Sequence, residues 1–418
     1  MTVERPVVDF DHHSEDFAHR RLDVYGELRT SGCPVAFSPH YGGYWVLSRY
    51  EDVRTAARDH ETFTSTHGPG PDGVHYDGIV IPPVISHGGM SETDPPEWNP
   101  IRRALTPMFA PGAVARLAPR VLEYTTACLD RVIESGRMDL VEDLATPVPA
   151  LVTMELLGLP LDLWQWCAHA SHRLSYTPAG ADAGAAWADF SAMLDAVGEA
   201  VEELRVRPQG GIVGRLLAEG IEGQPVSDDD LRNICQGLII GGVDTTGSLT
   251  SQTLLYLHRN HRARQQLIDD PDMVPVATEE FLRHFTPSLA LARTVTRDTE
   301  LGGQPMKAGD RVLLMWDGAN HDPVEFATPD DIVLDRFPNR HIAFGVGLHR
   351  CIGSNLARGE FTTILREVLR RIPDFEIDES ATEGYPSIGV MQGNIAMPAT
   401  FTPGRREGTV DLPAPRPH

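Results

Sequence analysis

Cys351 lies in the run Phe344-Gly345-Val346-Gly347-Leu348-His349-Arg350-Cys351-Ile352-Gly353, where a thiolate, an imidazole and three glycines recur at short intervals. Beyond it, Ile352, Leu356, Ile364, Leu365, Val368, Leu369 and Ile372 follow a helical period as far as Pro373. The spacing therefore predicts that Cys351 opens a helix, where free N–H groups and the helix dipole favour an anionic sulfur. A thiolate is a soft metal ligand. Gly345, Gly347 and Gly353 let the backbone turn tightly and approach something flat and large. A lone cysteine of this kind is most often a buried structural residue, and the ordered company around Cys351 argues against that reading.

A second group stands in Gly241-Gly242-Val243-Asp244-Thr245-Thr246-Gly247, within an otherwise apolar helical pattern. Each helical glycine costs about 1 kcal/mol relative to alanine, and a buried aspartate costs more unless it is paired. Such local frustration needs compensation, as a catalytic site would give. The structural alternative is a bent helix in which Thr245 or Thr246 bonds back to a carbonyl one turn earlier. Glu280 and Arg283 form a third group, at i,i+3 on a helical stretch, where they meet on one face. Taken alone they are a surface ion pair worth about 0–1 kcal/mol.

The elements that must position these groups are mainly helical. Residues 110 to about 258 read as helices, and the longest opens at Ser227 with Asp230 three residues on, a capping-box-like start. It runs to about Asn260, roughly 50 Å, long enough to cross the molecule. Strands are expected at Gly43–Leu47, Leu291–Thr296 and Arg311–Leu314, and the last forty residues read as strand and turn. Gly68–Gly89 is a long loop whose Ile79, Val80, Ile81, Val84 and Ile85 suit a cover over a cavity. Residues 1–13 and 404–418 are expected to be flexible tails.

Composition narrows the function classes. The chain has 418 residues, 41% hydrophobic, and 36 basic against 59 acidic residues give a formal charge of −23. Non-specific binding to nucleic acid or to an anionic membrane is disfavoured. Lys307 is the only lysine. Cys33, Cys128, Cys167, Cys235 and Cys351 are odd in number, scattered and without metal-type pairing, which fits a reducing cytoplasm rather than a disulfide framework. The N-terminus has no apolar signal core, and no stretch approaches the ~20 apolar residues of a membrane span.

The run from Phe344 to Gly353 resembles the haem-thiolate signature of the cytochrome P450 family, F-G-x-G-x-H-x-C-x-G. The segment around Asp244 resembles the family's oxygen-binding groove. Thr278-Glu279-Glu280-Phe281-Leu282-Arg283 resembles its E-x-x-R motif, with Pro287 following and Arg336 as third member of the charge cluster. The resemblance covers nearly the whole chain. It implies one domain over 1–418, mainly α with small β-sheets, a triangular helical prism enclosing haem b between the long helix and the Cys351 loop.

By that resemblance Cys351 ligates the iron, and its electron density favours O–O cleavage. Phe344, Gly345 and Gly242 lie against the cofactor. Trp98, Arg102, Arg293 and His349 hold the two propionates, although soluble bacterial members usually carry His where Trp98 stands; its indole still offers one donor. Thr245 holds a water or reduced dioxygen, and Asp244 relays protons. Glu280, Arg283 and Arg336 are structural. Substrate contacts fall on Ile81, Val84, Ile85, Leu238, Ile239, Leu289, Ala290, Leu291, Val390 and Met391, in a region a generic apolar core would match equally well.

The implied activity is a cytoplasmic, monomeric monooxygenase. It takes O2, and electrons from a separate ferredoxin and NAD(P)H-dependent ferredoxin reductase, to hydroxylate or epoxidise a hydrophobic small molecule in specialised metabolism or catabolism. Arg350 and Arg358 flank the natural docking face for the ferredoxin. Oxidative coupling, ring closure or desaturation use the same equipment and stay open, as does a carrier-tethered substrate. A non-catalytic haem sensor is the reading from another class, and it has no need of an acid–alcohol pair.

Overall fold

A computed structural model of the chain describes residues 5–30, 34–69, 75–83, 89–177, 183–414 and 416. Its α-helices are α1 (Glu15–Thr30), α2 (Tyr50–Arg58), α3 (Trp98–Leu105), α4 (Pro111–Val132), α5 (Pro147–Leu157), α6 (Trp164–Tyr176) and α7 (Ala183–Val206). They continue with α8 (Gly211–Glu219), α9 (Asp228–Arg259), α10 (His261–Asp269), α11 (Val274–Phe285), α12 (Trp316–Asn320) and α13 (Ser354–Arg371). Among the described residues, no helix is long and apolar enough to cross a membrane.

The long helix forms where the sequence places it, for local reasons. Ser227 Oγ accepts from the Asp230 N–H at 3.0 Å. Asp228, Asp229 and Asp230 sit in the first turn and His258 and Arg259 in the last, each complementing the dipole. Its glycines are packing devices. A Cβ on Gly242 would lie 2.7 Å from Thr153 Oγ1 of α5, and one on Gly247 would lie 2.8 Å from the Ala145 carbonyl oxygen. The α5 sequence is apolar all round because nearly every residue of that helix is buried.

The main sheet has five strands in the order Val35–Ser38, Tyr44–Leu47, Arg311–Met315, Ala290–Val295 and Phe63–Thr64. Arg311–Met315 runs parallel to Tyr44–Leu47 and antiparallel to Ala290–Val295, with Val312 opposite Arg293. Alternation divides its side chains. Tyr44, Val46, Ala290, Ala292, Leu313 and Met315 join one core cluster, and Trp45, Leu47, Val295, Val312 and Leu314 another. The largest cluster lies among α4, α5, α9, α11 and α13.

Several expectations are corrected. The helix after Cys351 begins at Ser354 with Gly353 as its N-cap, so Cys351 precedes it by three residues. The Cys351 N–H is committed instead to the Phe344 carbonyl at 2.8 Å, which holds it in the turn. The Gly68–Gly89 stretch is not all loop, because Thr66–Pro69 pairs with His75–Asp77. Ile79 then accepts from the Ala292 N–H at 2.6 Å, tying the stretch to the sheet.

The expected tails are held. Phe10 is buried, and His12 and His13 each donate to the Ile81 carbonyl, at 2.9 and 2.8 Å. At the other end, the backbone N–H groups of Glu407 and Gly408 donate to Asp130 of α4 at 3.1 and 2.7 Å, and Arg371 meets the same carboxylate at 2.6 Å. The buried Asp130 carboxylate receives this segment. Residues 1–4, 415 and 417–418 lie outside the described residues.

Replacing Gly247 with alanine drives a Cβ into backbone, with an expected loss of about 1–3 kcal/mol. Gly198→Ala on α7 meets nothing within 4 Å and is expected to gain about 0.5–1 kcal/mol from helix propensity. Chemical denaturation of the two variants checks both signs.

Candidate active site

Two turns with positive φ shape the Cys351 loop, at Gly345 (64°) and Gly347 (78°). A Cβ on Gly347 would stand 2.5 Å from the Ala57 carbonyl oxygen, so the loop lies directly on the end of α2. Phe344 sits under the guanidinium of Arg358 at 4.5 Å. Arg358 is itself held by Glu279 at 2.6 and 2.8 Å. This corrects the docking expectation: Arg358 braces the loop from inside, and Arg350 is the exposed charge of the two.

Cys351 is solvent-accessible, although protein atoms crowd round its sulfur. Burial governs its acidity. It pushes the thiol up, against the Gly353 N–H and the charges of Arg102, Arg350 and Arg358. Burial thus opposes the helix-end stabilisation expected from sequence.

Behind the loop, Glu280 and Arg283 are wholly buried and doubly bonded at 2.9 Å. Arg336 Nε adds bonds of 3.1 and 3.0 Å to the two oxygens of Glu280. The Val333 N–H and the Asn339 amide complete its shell at 2.8 and 3.1 Å. Arg283 spends its remaining donors on the carbonyls of Asn320, Pro329 and Asp331. The cluster thus locks α11 to residues 329–339, the segment that leads into the loop.

The four expected propionate contacts converge. Trp98 and His349 meet edge to face with centroids 5.3 Å apart, and the Arg102 guanidinium lies 5.3 Å from the Trp98 ring. Arg293 is buried on its strand, close enough for its charge to act on His349. Sequence reading missed Asp94, which accepts from His349 Nε2 at 2.7 Å and from the Ser65 N–H at 3.1 Å. Its signal was the Asp94-Pro95-Pro96 turn just before α3. Burial lowers the His349 pKa, and Asp94 opposes that.

In α9, Thr245 Oγ1 bonds back to the Gly241 carbonyl at 2.8 Å, the structural alternative weighed above. Asp244 is buried and faces His172 and Tyr385, 72 and 141 residues away in sequence. Glu360 of α13, also missed, is buried with the Thr246 hydroxyl as partner, and burial pushes its carboxyl well above the ordinary range.

A cytochrome P450 family model matches residues 162–386. Cytochrome P450 130 of Mycobacterium tuberculosis is 33% identical over 353 residues, spanning 82% of this chain and 84% of that protein. This chain belongs to the cytochrome P450 family. Steroid C26-monooxygenase of Mycolicibacterium smegmatis is 31% identical, over 86% of this chain and 88% of its own length. The Mycobacterium marinum P450 CYP268A2 in complex with pseudoionone superposes with a TM-score of 0.85 at 25% identity, covering 96% and 100% of the two chains. The chain is a P450 monooxygenase with the P450 fold.

Members of the family carry haem b, and the residues here fit it. One accessible sulfur stands near a cluster of cationic and N–H donors, Trp98, Arg102, Arg293 and His349, suited to a carboxylate-bearing group. Among the described residues, no group of three or more His, Cys, Asp or Glu is placed to hold a bare ion. A single protein ligand suits a metal that arrives in its own macrocycle.

The expected pocket residues separate by face. Ile81, Leu289, Ala290 and Met391 share one apolar cluster, and Leu238 and Ile239 of α9 belong to another. Leu291 packs on the opposite side of the sheet from Ala290, as strand alternation requires. Val390 contributes its carbonyl to the Leu289 N–H at 2.8 Å. Val84 and Ile85 lie outside the described residues. Gly242 points at α5 rather than the cleft, and Gly241, one turn before Thr245, is the open glycine.

Glu280→Ala leaves two buried guanidinia without their anion and is expected to cost about 3–5 kcal/mol, against about 0–1 kcal/mol for the exposed Glu51→Ala; thermal unfolding compares them. For Glu279, burial acts to raise the pKa, but Arg358 and His341 outweigh it and hold it at about 2. The folded value lies below the unfolded one, so this stabilisation is present above about pH 4.5 and is lost as pH falls toward 2. Glu279→Gln is expected to flatten that part of the Tm–pH curve.

Proposed function

We propose that this P450 hydroxylates or epoxidises an apolar small molecule of terpenoid, steroid, macrolide or aromatic type, with Cys351 as the residue that would hold the haem iron and Asp244 and Thr245 as its proton equipment. The observation that carries the reading is the buried Asp244 beside the partly exposed Thr245 in mid-α9. Haem b, when bound, supplies the activation of dioxygen with two electrons and two protons. Cys351 would hold the iron, its loop braced through Phe344, Arg358 and the Glu280 cluster. Trp98, Arg102, Arg293 and His349 hold the propionates, and Asp94 keeps the His349 ring oriented.

Thr245 swings its hydroxyl from the Gly241 carbonyl toward the cleft, where it holds a water or the reacting dioxygen. Asp244 keeps the proton that this hydroxyl passes on. The apolar side chains Ile81, Leu238, Ile239, Leu289, Ala290 and Met391 exclude water and take up the substrate. A steroid-oxidising relative and a neighbour solved with pseudoionone support a carbon-rich, weakly polar ligand. Electrons come from a separate ferredoxin and its NAD(P)H-dependent reductase, docking near exposed Arg350. The enzyme works as a cytoplasmic monomer in which residues 1–418 form one domain, a reading supported by a core cluster that runs from Leu105 to Phe401.

Absorbance of the ferric holoenzyme, titrated with steroids, terpenoids, macrolides and aromatics, tests the reading. A thiolate-ligated low-spin resting spectrum that moves to high spin with one class is expected, and a resting spectrum unchanged in Cys351→Ala sinks the assignment. With a compound found in this way, Thr245→Ala is expected to keep consuming oxygen while diverting most of it to peroxide. Unchanged coupling removes Thr245 from the mechanism.

A further inference from the structure

Asp244 is enclosed by two side chains from distant parts of the chain. His172 of α6 donates through Nδ1 to Asp244 Oδ1 at 2.7 Å. The Tyr385 hydroxyl stands 3.2 Å from both carboxylate oxygens and 3.0 Å from the same histidine nitrogen. All three residues are buried. Tyr176 packs edge-on against His172 with centroids 5.4 Å apart and touches Tyr385 at 5.8 Å, so the imidazole is clamped between two phenol rings.

A carboxylate that needed only anchoring could be held by permanent donors. Tyr385 is one, because burial, and then the Asp244 charge, push its pKa well above the ordinary phenol value. Histidine is different, since its proton can leave within the physiological range. Burial opposes charge on His172, but the Asp244 hydrogen bond and then the charges of Asp244 and Glu142 outweigh it, and its pKa lies above 6.5. The other ring nitrogen, Nε2, is buried and makes no hydrogen bond among the described residues. One turn earlier on α6, His169 is exposed and lies 3.8 Å from the exposed Glu142. Titratable groups thus run from the surface to Asp244 without leaving this corner of the molecule.

We propose that His172 is the relay and positioning residue for Asp244, passing it a proton from the Glu142–His169 edge of α6 while Tyr385 fixes the carboxylate. The proposal rests on the reading of Asp244 as proton donor. In the step, the Nδ1–H bond of the imidazolium breaks as an O–H bond forms on Asp244. The ring is left neutral with its other proton on Nε2. A turn of the ring brings that N–H to Asp244 and the vacant nitrogen away from it, where solvent protonates it, and no electron moves. His172 acts through Asp244, its hydrogen-bond partner.

The test uses holoenzyme. In the ferrous carbon monoxide form, proton–carbon NMR of the histidine rings is followed against pH in wild type, His172→Gln, Tyr385→Phe and Asp244→Asn. The signal lost in His172→Gln is expected to titrate above pH 6.5 and to fall in Asp244→Asn. Oxygen consumption without added substrate, driven by a plant-type ferredoxin and its reductase, is measured in H2O and D2O. Since the relay needs a charged ring, the rate is expected to fall as pH rises through the same midpoint. His172→Gln is expected to lower it roughly 10-fold or more and to abolish that limb, whereas Tyr385→Phe keeps it.

If His172→Gln retains the limb and the isotope effect while Asp244→Asn loses both, the relay is wrong and the role of Asp244 stands. If neither variant alters them, the Asp244 reading falls and takes the relay with it. Should His172→Gln not fold, the ring whose signal moves in Asp244→Asn still decides: a wild-type midpoint at or below 6.5 overturns the proposal.

Discussion

A carboxylate sealed from water must be surrounded by donors or it cannot stay charged, and Glu280 meets that demand with two arginines, an asparagine and a backbone N–H. The geometry of the rest follows from this requirement. Arg283 and Arg336 reach further, to the carbonyls of residues 320–331, so a segment without regular structure is fixed as firmly as a strand. That segment delivers the chain to Ile342, whose N–H is taken by Asn320 at 2.8 Å, and from there into the Cys351 turn. Such a network adds little net stability over an apolar core, but it permits only one arrangement. A side chain proposed to meet a metal at one position needs that single arrangement more than it needs stability.

The centre of α9 shows a different compromise. Gly242 and Gly247 weaken the helix locally, yet they allow α5 and the turn before it to approach to backbone contact. Gly241 has no such neighbour and shares the open face with Thr245. Burial of Asp244 between these positions is tolerable because α6 and the C-terminal segment supply donors to it. The helix is therefore held at its centre by tertiary contacts rather than by propensity.

The termini illustrate how composition can mislead. Position at the ends of the chain suggested loose tails. Phe10, His12 and His13 are instead packed against the sheet and Ile81, and residues 404–408 wrap onto Asp130 of α4. Neither contact partner is near in sequence, so no local pattern announced them.

Much was legible from the chain alone: the long helix with its Ser227 cap, the three main strands, the cysteine loop and the pairing of Glu280 with Arg283, though not its burial. These depend on local rules, namely caps, glycine turns, strand alternation and i,i+3 spacing, whose partners lie within a few residues. The family resemblance added the roles proposed for Cys351, Arg102, Arg293 and His349. Tertiary structure alone decided that Cys351 stands before its helix with burial opposing its ionisation, that Arg358 faces inward, and that Gly241 rather than Gly242 is open. It alone brought His172 and Tyr385 to Asp244, and Asp94 to His349. The physical reason is common to all of these. Burial, pairing and facing are properties of neighbours in space, and a sequence of this length names residues without saying which of them will meet.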